Sequence, residues 1–223
     1  MALTRAGLEG TGIGTTVFGH VINTEPRDMY LSRVAAMQAG VPEHVPAMNV
    51  NRLCGSGLQA IVSGAQSLML GEAETALVGG AECMSRSPYA VPAARFGQKM
   101  GDARVVDMML GALTCPFGTG HMGITAENVA LDHGISRADQ DAFALASQTR
   151  AAAAIASCHF TAEIAPLEPA GRKGPTTFAQ DEHPKATSLE ALSALRPAFQ
   201  KEGTVTAGNA SGLNDGAAAL VLA

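Results

Sequence analysis

Between residues 47 and 78 two extended runs enclose one helical stretch, and this order restricts the fold more than any other feature of the chain. Leu58, Ile61, Val62, Ala65, Leu68 and Met69 recur at intervals of three and four residues, the spacing of one helix face, and the pattern ends before Gly71. Ahead of it Pro46 introduces the extended run Ala47 to Arg52; after it Thr75 to Val78 runs into Gly79-Gly80. Upstream the order repeats. The β-branched and aromatic run within Gly14 to Ile22 reads as a strand, Asn23 to Arg27 around Pro26 as its exit loop, and Asp28 as the cap of a helix ending at Gly40. Strands alternating with helices predict an α/β fold: a mixed, mainly parallel sheet covered by helices.

Beyond Cys83 the pattern loosens. Pro88, Pro92, Pro116 and many glycines interrupt Ser85 to Gly120, with a short apolar patch at Val105 to Leu113, so this stretch reads as an excursion from the sheet. Helices are expected at about Thr125 to Asp132 and at Ser136 to about Ser157, where Ser136 and Asp139 have the spacing of a capping box. Gly171 to Thr187 reads as a polar loop, and Ala217 to Ala223, after a turn-rich segment holding Asn209 and Asn214, as a buried strand. One domain with an inserted loop region of about 85–200 accommodates all of this, at roughly 150 residues per domain.

Charge and cysteine content narrow the function. A net charge of -5 and the lack of any Lys/Arg run give no attraction to nucleic acid or an anionic membrane. Four cysteines, Cys54, Cys83, Cys115 and Cys158, are too few and too widely spaced for a disulfide framework, and none form a C-x-x-C pair, so no metal site is expected. Reduced thiols, the absence of an apolar run of about 20 residues and a start without a signal-peptide core fit a soluble, cytoplasmic protein.

Cys54 carries the chemistry. In Cys54-Gly55-Ser56-Gly57 it stands where a strand meets a helix, and at a helix amino end unpaired N–H groups and the helix dipole favour a thiolate. The small residues around it let a substrate approach the backbone, whose N–H groups are candidates for holding a thioester oxyanion. A small cysteine packed where strand meets helix is the competing explanation.

Asn51-Arg52-Leu53-Cys54-Gly55-Ser56-Gly57-Leu58-Gln59-Ala60 resembles the acyl-enzyme motif of thiolases. In the same order follow Gly79-Gly80-Ala81-Glu82-Cys83-Met84-Ser85, with Cys83 where a serine is more usual, then His121-Met122-Gly123-Ile124-Thr125-Ala126-Glu127-Asn128, and then Gly203 to Gly216. Thr24 to Tyr30 and Arg95 to Asp102 resemble bacterial β-ketothiolases in particular. The resemblance implies a thiolase-like sheet and an acyltransferase in which Cys54 takes an acyl group from an acyl-CoA and passes it to CoA or to a second acetyl-CoA. It implies fatty-acid metabolism, no cofactor beyond the coenzyme A thioesters themselves, and a homo-oligomer, dimer or tetramer, with subunit contacts in the Ser85 to Gly120 excursion. Leu113, His121 and Met122 would line the channel for the pantetheine arm; outside the family His121 would read as a surface or satisfied core histidine.

The sequence also departs from the family. Where an arginine for the CoA nucleotide is usual, Lys185 is the nearest cation and Ala191 replaces a serine; a lysine meets a phosphate as a point charge without the fork of arginine. The family's first strand, expected inside the sheet, would precede Met1, and a second half would follow Ala223, with an Asn-Glu-Ala-Phe motif, a Gly-His-Pro histidine and a second cysteine. None of these motifs occurs in the 223 residues, which predicts a chain inactive in turnover by itself. A non-catalytic module binding acyl-CoA or a partner subunit is the alternative from another class, and a β-ketoacyl synthase relative a third reading.

Overall fold

The computed structural model describes residues 1–171 and 174–223. The chain divides into two compact units, Met1–Leu113 with Leu213–Ala223, and Thr114–Gly212.

The first unit is built on a four-stranded sheet. In chain order it holds α1 (Ala2–Arg5), β1 (Thr15–Gly19), α2 (Leu31–Gln38), β2 (Ala47–Val50), α3 (Ser56–Met69), β3 (Ala76–Cys83), the short pair β4 (Tyr89–Ala90) and β5 (Val106–Asp107), and α4 (Met108–Ala112). The second unit contains the hairpin β6 (Thr114–Cys115) and β7 (Gly120–His121), α5 (Met122–Asp132), α6 (Arg137–Ala156), the antiparallel pair β8 (Ala170–Gly171) and β9 (Gly174–Pro175), and α7 (Leu189–Ser193). The last strand, β10 (Asp215–Leu222), returns to the first unit.

The sheet order is β10-β3-β1-β2, with β1 parallel to β2 and β3 and β10 antiparallel to β3. The mixed, mainly parallel α/β sheet is therefore as expected. The pleat sends alternate residues to opposite faces, and both faces are covered. Phe18 and Leu77 join Ala36, Val41 and Val45 in one apolar cluster, while Val17, Ala76 and Val78 join Ala60 of α3 in another. That double burial is why β1 and β3 read as continuous apolar runs.

Several expectations need correcting. The four strands are hydrogen-bonded in sequence across the sheet without a gap, so a further strand adds at an edge and does not belong inside. The expected buried strand at the end of the chain is an edge strand exposed over Asp215–Leu220; an alanine-rich run is apolar enough for a core, but burial also needs a covering element. The first strand stops at Gly19 instead of Ile22. Asp28 caps no α-helix directly: it is the third residue of a 3-10 turn, Pro26–Tyr30, and its carboxylate accepts from the N–H groups of Thr24 and Glu25 and from the Thr24 hydroxyl. Burial would raise its pKa, but these bonds and nearby His20 hold it below the ordinary value. The expected polar loop over 171–187 includes β9 and the last residue of β8, Gly171, and its positions 172 and 173 lie outside the described residues. The capping box of α6 is present, with Ser136 and Asp139 bonded reciprocally.

Candidate active site

The geometry at Cys54 comes from a tight turn that its own residues close. The Asn51 carboxamide oxygen accepts from Leu53 N–H at 3.0 Å, an Asx-type turn. Ser56 is buried, and its hydroxyl accepts from Arg52 N–H at 2.9 Å and donates to the Leu53 carbonyl at 2.6 Å. The Arg52 guanidinium reaches forward to Gln59 at 2.7 Å, tying the turn to the first turns of α3. Between these anchors Leu53 is forced to a φ of 45°, the left-handed region that costs a branched non-glycine residue about 1–2 kcal/mol. The helix proper begins at Ser56 with Gly55 as N-cap, so Cys54 stands one residue before the cap.

Close approach brings this turn onto the sheet. A Cβ added to Gly19 would lie 2.6 Å from the carbonyl carbon of Ser56 and 2.8 Å from Gly57 N, so only glycine at the end of β1 lets the start of α3 pack there. Further along, a Cβ at Gly64 would meet the Val78 side chain at 2.5 Å. The helix is pressed to the sheet at both places, and a cavity of about 580 Å³ opens at its amino end. Cys54 lines it together with Leu53, Ile22, Gly80, Glu82 and Leu113.

Cys54 is exposed. The alternative of a small buried cysteine is thereby removed. Its neighbours' N–H groups are less available than expected: Gly55 N–H donates to the Arg52 carbonyl at 3.1 Å and Ser56 N–H to the Leu53 carbonyl at 2.9 Å, closing the turn. Those two donors are therefore not free for an oxyanion.

Of the other expected binding residues, Leu113 shares the cavity with Cys54, whereas His121, Met122 and Lys185 belong to the second unit. There His121 caps α5: its Nδ1 accepts from Gly123 N–H at 3.0 Å, which leaves Nε2 to carry the proton in the neutral ring, and the ring stacks on Phe199 at 4.9 Å. Met122 is exposed, and Lys185 is exposed with its backbone N–H donating to the Gln148 side chain at 2.9 Å. Among the described residues no group of three or more His, Cys, Asp or Glu could hold a metal ion, and no helix is long and apolar enough to cross a membrane.

Two features escaped the sequence reading. Glu82 lines the cavity and accepts from both Val21 and Ile22 N–H; a glutamate two residues beyond Gly79-Gly80 was the available signal. Cys115, in the β6–β7 hairpin, has its thiol held below the ordinary value by the Thr119 hydroxyl and then by the N–H groups of Phe117, Thr119 and Gly118, which outweigh burial. Nothing in the spacing of the cysteines reveals that.

Comparison with known proteins places this geometry. The family model for the thiolase N-terminal domain matches residues 1–223. Beta-ketothiolase BktB of Cupriavidus necator is 59% identical over 223 residues, 99% of this chain and 57% of that protein. The crystal structure of human mitochondrial 3-ketoacyl-CoA thiolase superposes with a TM-score of 0.95 at 43% identity, covering 99% of this chain and 56% of the human one. A structure of the human enzyme in complex with CoA gives 0.94 at 42% identity, covering 99% and 55%. The chain thus spans little more than half the length of these relatives, and along all of that span it belongs to the thiolase family, as its N-terminal domain.

Proposed function

We propose that this chain supplies the nucleophile of an acyl transfer between coenzyme A thioesters. The Cys54 thiolate attacks the acyl carbonyl, a new carbon–sulfur bond forms, the bond to the CoA sulfur breaks, and CoA leaves as the thiolate that takes up a proton. The acyl group then passes from Cys54 to the carbanion of acetyl-CoA, in condensation; in thiolysis the Cys54 thiolate instead attacks the 3-keto carbonyl of a 3-ketoacyl-CoA, the bond between C2 and C3 breaks, acetyl-CoA leaves as a carbanion that takes up a proton, and the acyl group passes from Cys54 to CoA. The observation that carries this reading is an exposed cysteine held by a closed turn at the mouth of an apolar cavity. Leu113, on the cavity wall, and His121, Met122 and Lys185 are read as CoA contacts, the first three along the pantetheine arm and Lys185 toward a phosphate.

The relatives' names, acetyl-CoA acetyltransferase and 3-ketoacyl-CoA thiolase, support fatty-acid metabolism as the setting. A cytoplasmic homo-oligomer, dimer or tetramer, is the state we assign to the active protein by the same family analogy. The Gly-His-Pro histidine and the second cysteine of the family pattern are not among these residues, and general acid–base groups of that kind are each worth about 10²–10⁴-fold. The chain alone is therefore expected to acylate without turning over.

Incubation with acetyl-CoA followed by peptide mass spectrometry tests this. The acetyl thioester is expected on Cys54 and is lost in Cys54→Ala. An adduct formed mainly on Cys115, whose thiol has the donors described above, would defeat the assignment.

A further inference from the structure

The strap that leaves β1 is held in an uncommon way. His20 N–H makes the last bond along the sheet, to the Val50 carbonyl at 3.0 Å, and beyond it Val21 and Ile22 have no strand partner for their N–H groups. Both turn to one side chain: Val21 N–H donates to one oxygen of Glu82 at 2.9 Å and Ile22 N–H to the other at 3.1 Å. The His20 ring adds a bond from Nδ1 to the Ala81 carbonyl at 2.8 Å, and its Nε2 is buried without a hydrogen bond, 3.9 Å from Asp28. Asp28 in turn holds Thr24 and Glu25. Residues 20–28 are thus pinned at one end by Glu82 and at the other by Asp28, and Val21, Ile22 and Glu82 all line the cavity on which Cys54 opens.

We infer that Glu82 is a positioning residue that fixes Val21 and Ile22 as one wall of the acyl cavity and so sets the chain length Cys54 accepts. This rests on the acyl-transfer reading of Cys54. A carboxylate suits the task because it presents two acceptors to two consecutive N–H groups. A carboxamide presents one acceptor and turns its own donors toward the second N–H, and an aspartate withdraws both oxygens by a methylene. Ile22 is buried and Val21 half-buried, so releasing their backbone frees apolar side chains to move away from the cavity. Discrimination between acyl groups in an apolar pocket is commonly about 10–200-fold per methylene, and a wall held only by its own side chains cannot sustain it.

The test uses the 223-residue chain and acetyl-, butyryl- and hexanoyl-CoA, with Cys54 acylation followed by intact mass against thioester concentration. In Ile22→Ala the hexanoyl-to-acetyl ratio of acylation efficiency should rise about tenfold. In Glu82→Gln it should rise at least about threefold, through a lower half-saturation for hexanoyl-CoA, with faster amide hydrogen exchange at Val21 and Ile22. Glu82→Asp should fall between the Gln variant and the parent. Faster exchange with an unchanged ratio overturns the inference and leaves the acyl-transfer reading intact. If the Gln variant does not fold, a parental ratio in Glu82→Asp overturns it equally. A parent chain that takes no acyl group on Cys54 from any of the three thioesters overturns both.

Discussion

The two units are stabilised by different means. In the first, apolar residues such as Val17, Phe18, Leu77 and Val78 are buried on both faces of a sheet, and glycines at 19 and 64 let a helix lie against it. In the second, the buried apolar residues among those described are Ala130, Leu192 and Val205, and two carboxylates are buried with partners. Glu127 accepts from the N–H groups of Thr204 and Val205 and from the Thr204 hydroxyl. Asp141 meets the Arg137 guanidinium at 2.8 Å and the Asn209 carboxamide at 2.9 Å, while Arg137 also donates to the Leu192 and Leu195 carbonyls. The buried carboxylates stand in the second unit and the close glycine contacts in the first, so the two should respond differently to substitution and to pH.

The largest effect is expected at Glu127. Glu127→Ala leaves buried N–H groups without an acceptor and should cost about 3 kcal/mol or more in urea unfolding; a loss below about 1 kcal/mol would break the contrast. Burial would raise the pKa of Glu127, but the bonds from Thr204 and Val205 hold it below the ordinary value. A group whose pKa is depressed on folding contributes fully above its unfolded pKa, about 4.3 for glutamate, and loses that contribution as pH falls through the folded value. The protection of Thr204 and Val205 from hydrogen exchange, relative to the intrinsic rate at each pH, should therefore fall on acidification below about pH 4.3, and Glu127→Gln should flatten that dependence.

In the first unit the corresponding test is steric. Gly19→Ala places a methyl group against the backbone of Ser56 and Gly57 and should cost about 1–3 kcal/mol, with no change in the pH dependence and with altered alkylation of Cys54 because the turn is displaced. A fully tolerated Gly19→Ala would show that the helix start yields more readily than its contacts indicate.

The smallest effect is at Leu53. Glycine there relieves about 1–2 kcal/mol of left-handed strain and gives up about 0.5–1 kcal/mol through the freer unfolded chain. Leu53→Gly should leave unfolding within about 1.5 kcal/mol of the parent, on the stabilising side. A loss greater than that would mean that the Leu53 side chain, and not the Asn51 and Ser56 bonds, organises the turn.

Much of the fold was legible because it is written in local periods. The interval of three and four residues located α3 to within two positions, and Ser136 with Asp139 located the start of α6. What was not legible depends on partners distant in the chain. Val21 and Ile22 look like strand, yet Glu82, 61 and 60 positions away, takes the N–H groups that a neighbouring strand would need. The five residues of α7 are too few to show a helical period, and no helix was expected there. At the candidate site, the place of Cys54 just ahead of α3 was legible in the turn sequence around it. That the Gly55 and Ser56 N–H groups are consumed within that turn follows from its closure, which no residue type announces.

The pairing of β10 with β3 sets a schedule for the ribosome. Ser85 and Asp215, whose side chains join the ends of these strands, are 130 positions apart, and residues 114–212 are made in between. At about 5–20 residues per second, β3 waits on the order of 10 s for its antiparallel neighbour. During that interval its Gly79-Gly80 edge is an open template for another strand. The second unit is finished just before β10 and free to fold, since among the described residues none of its own strand pairs needs a residue beyond Gly212. Slowing elongation over 114–212 should therefore leave that unit's yield unchanged and increase aggregation through the first.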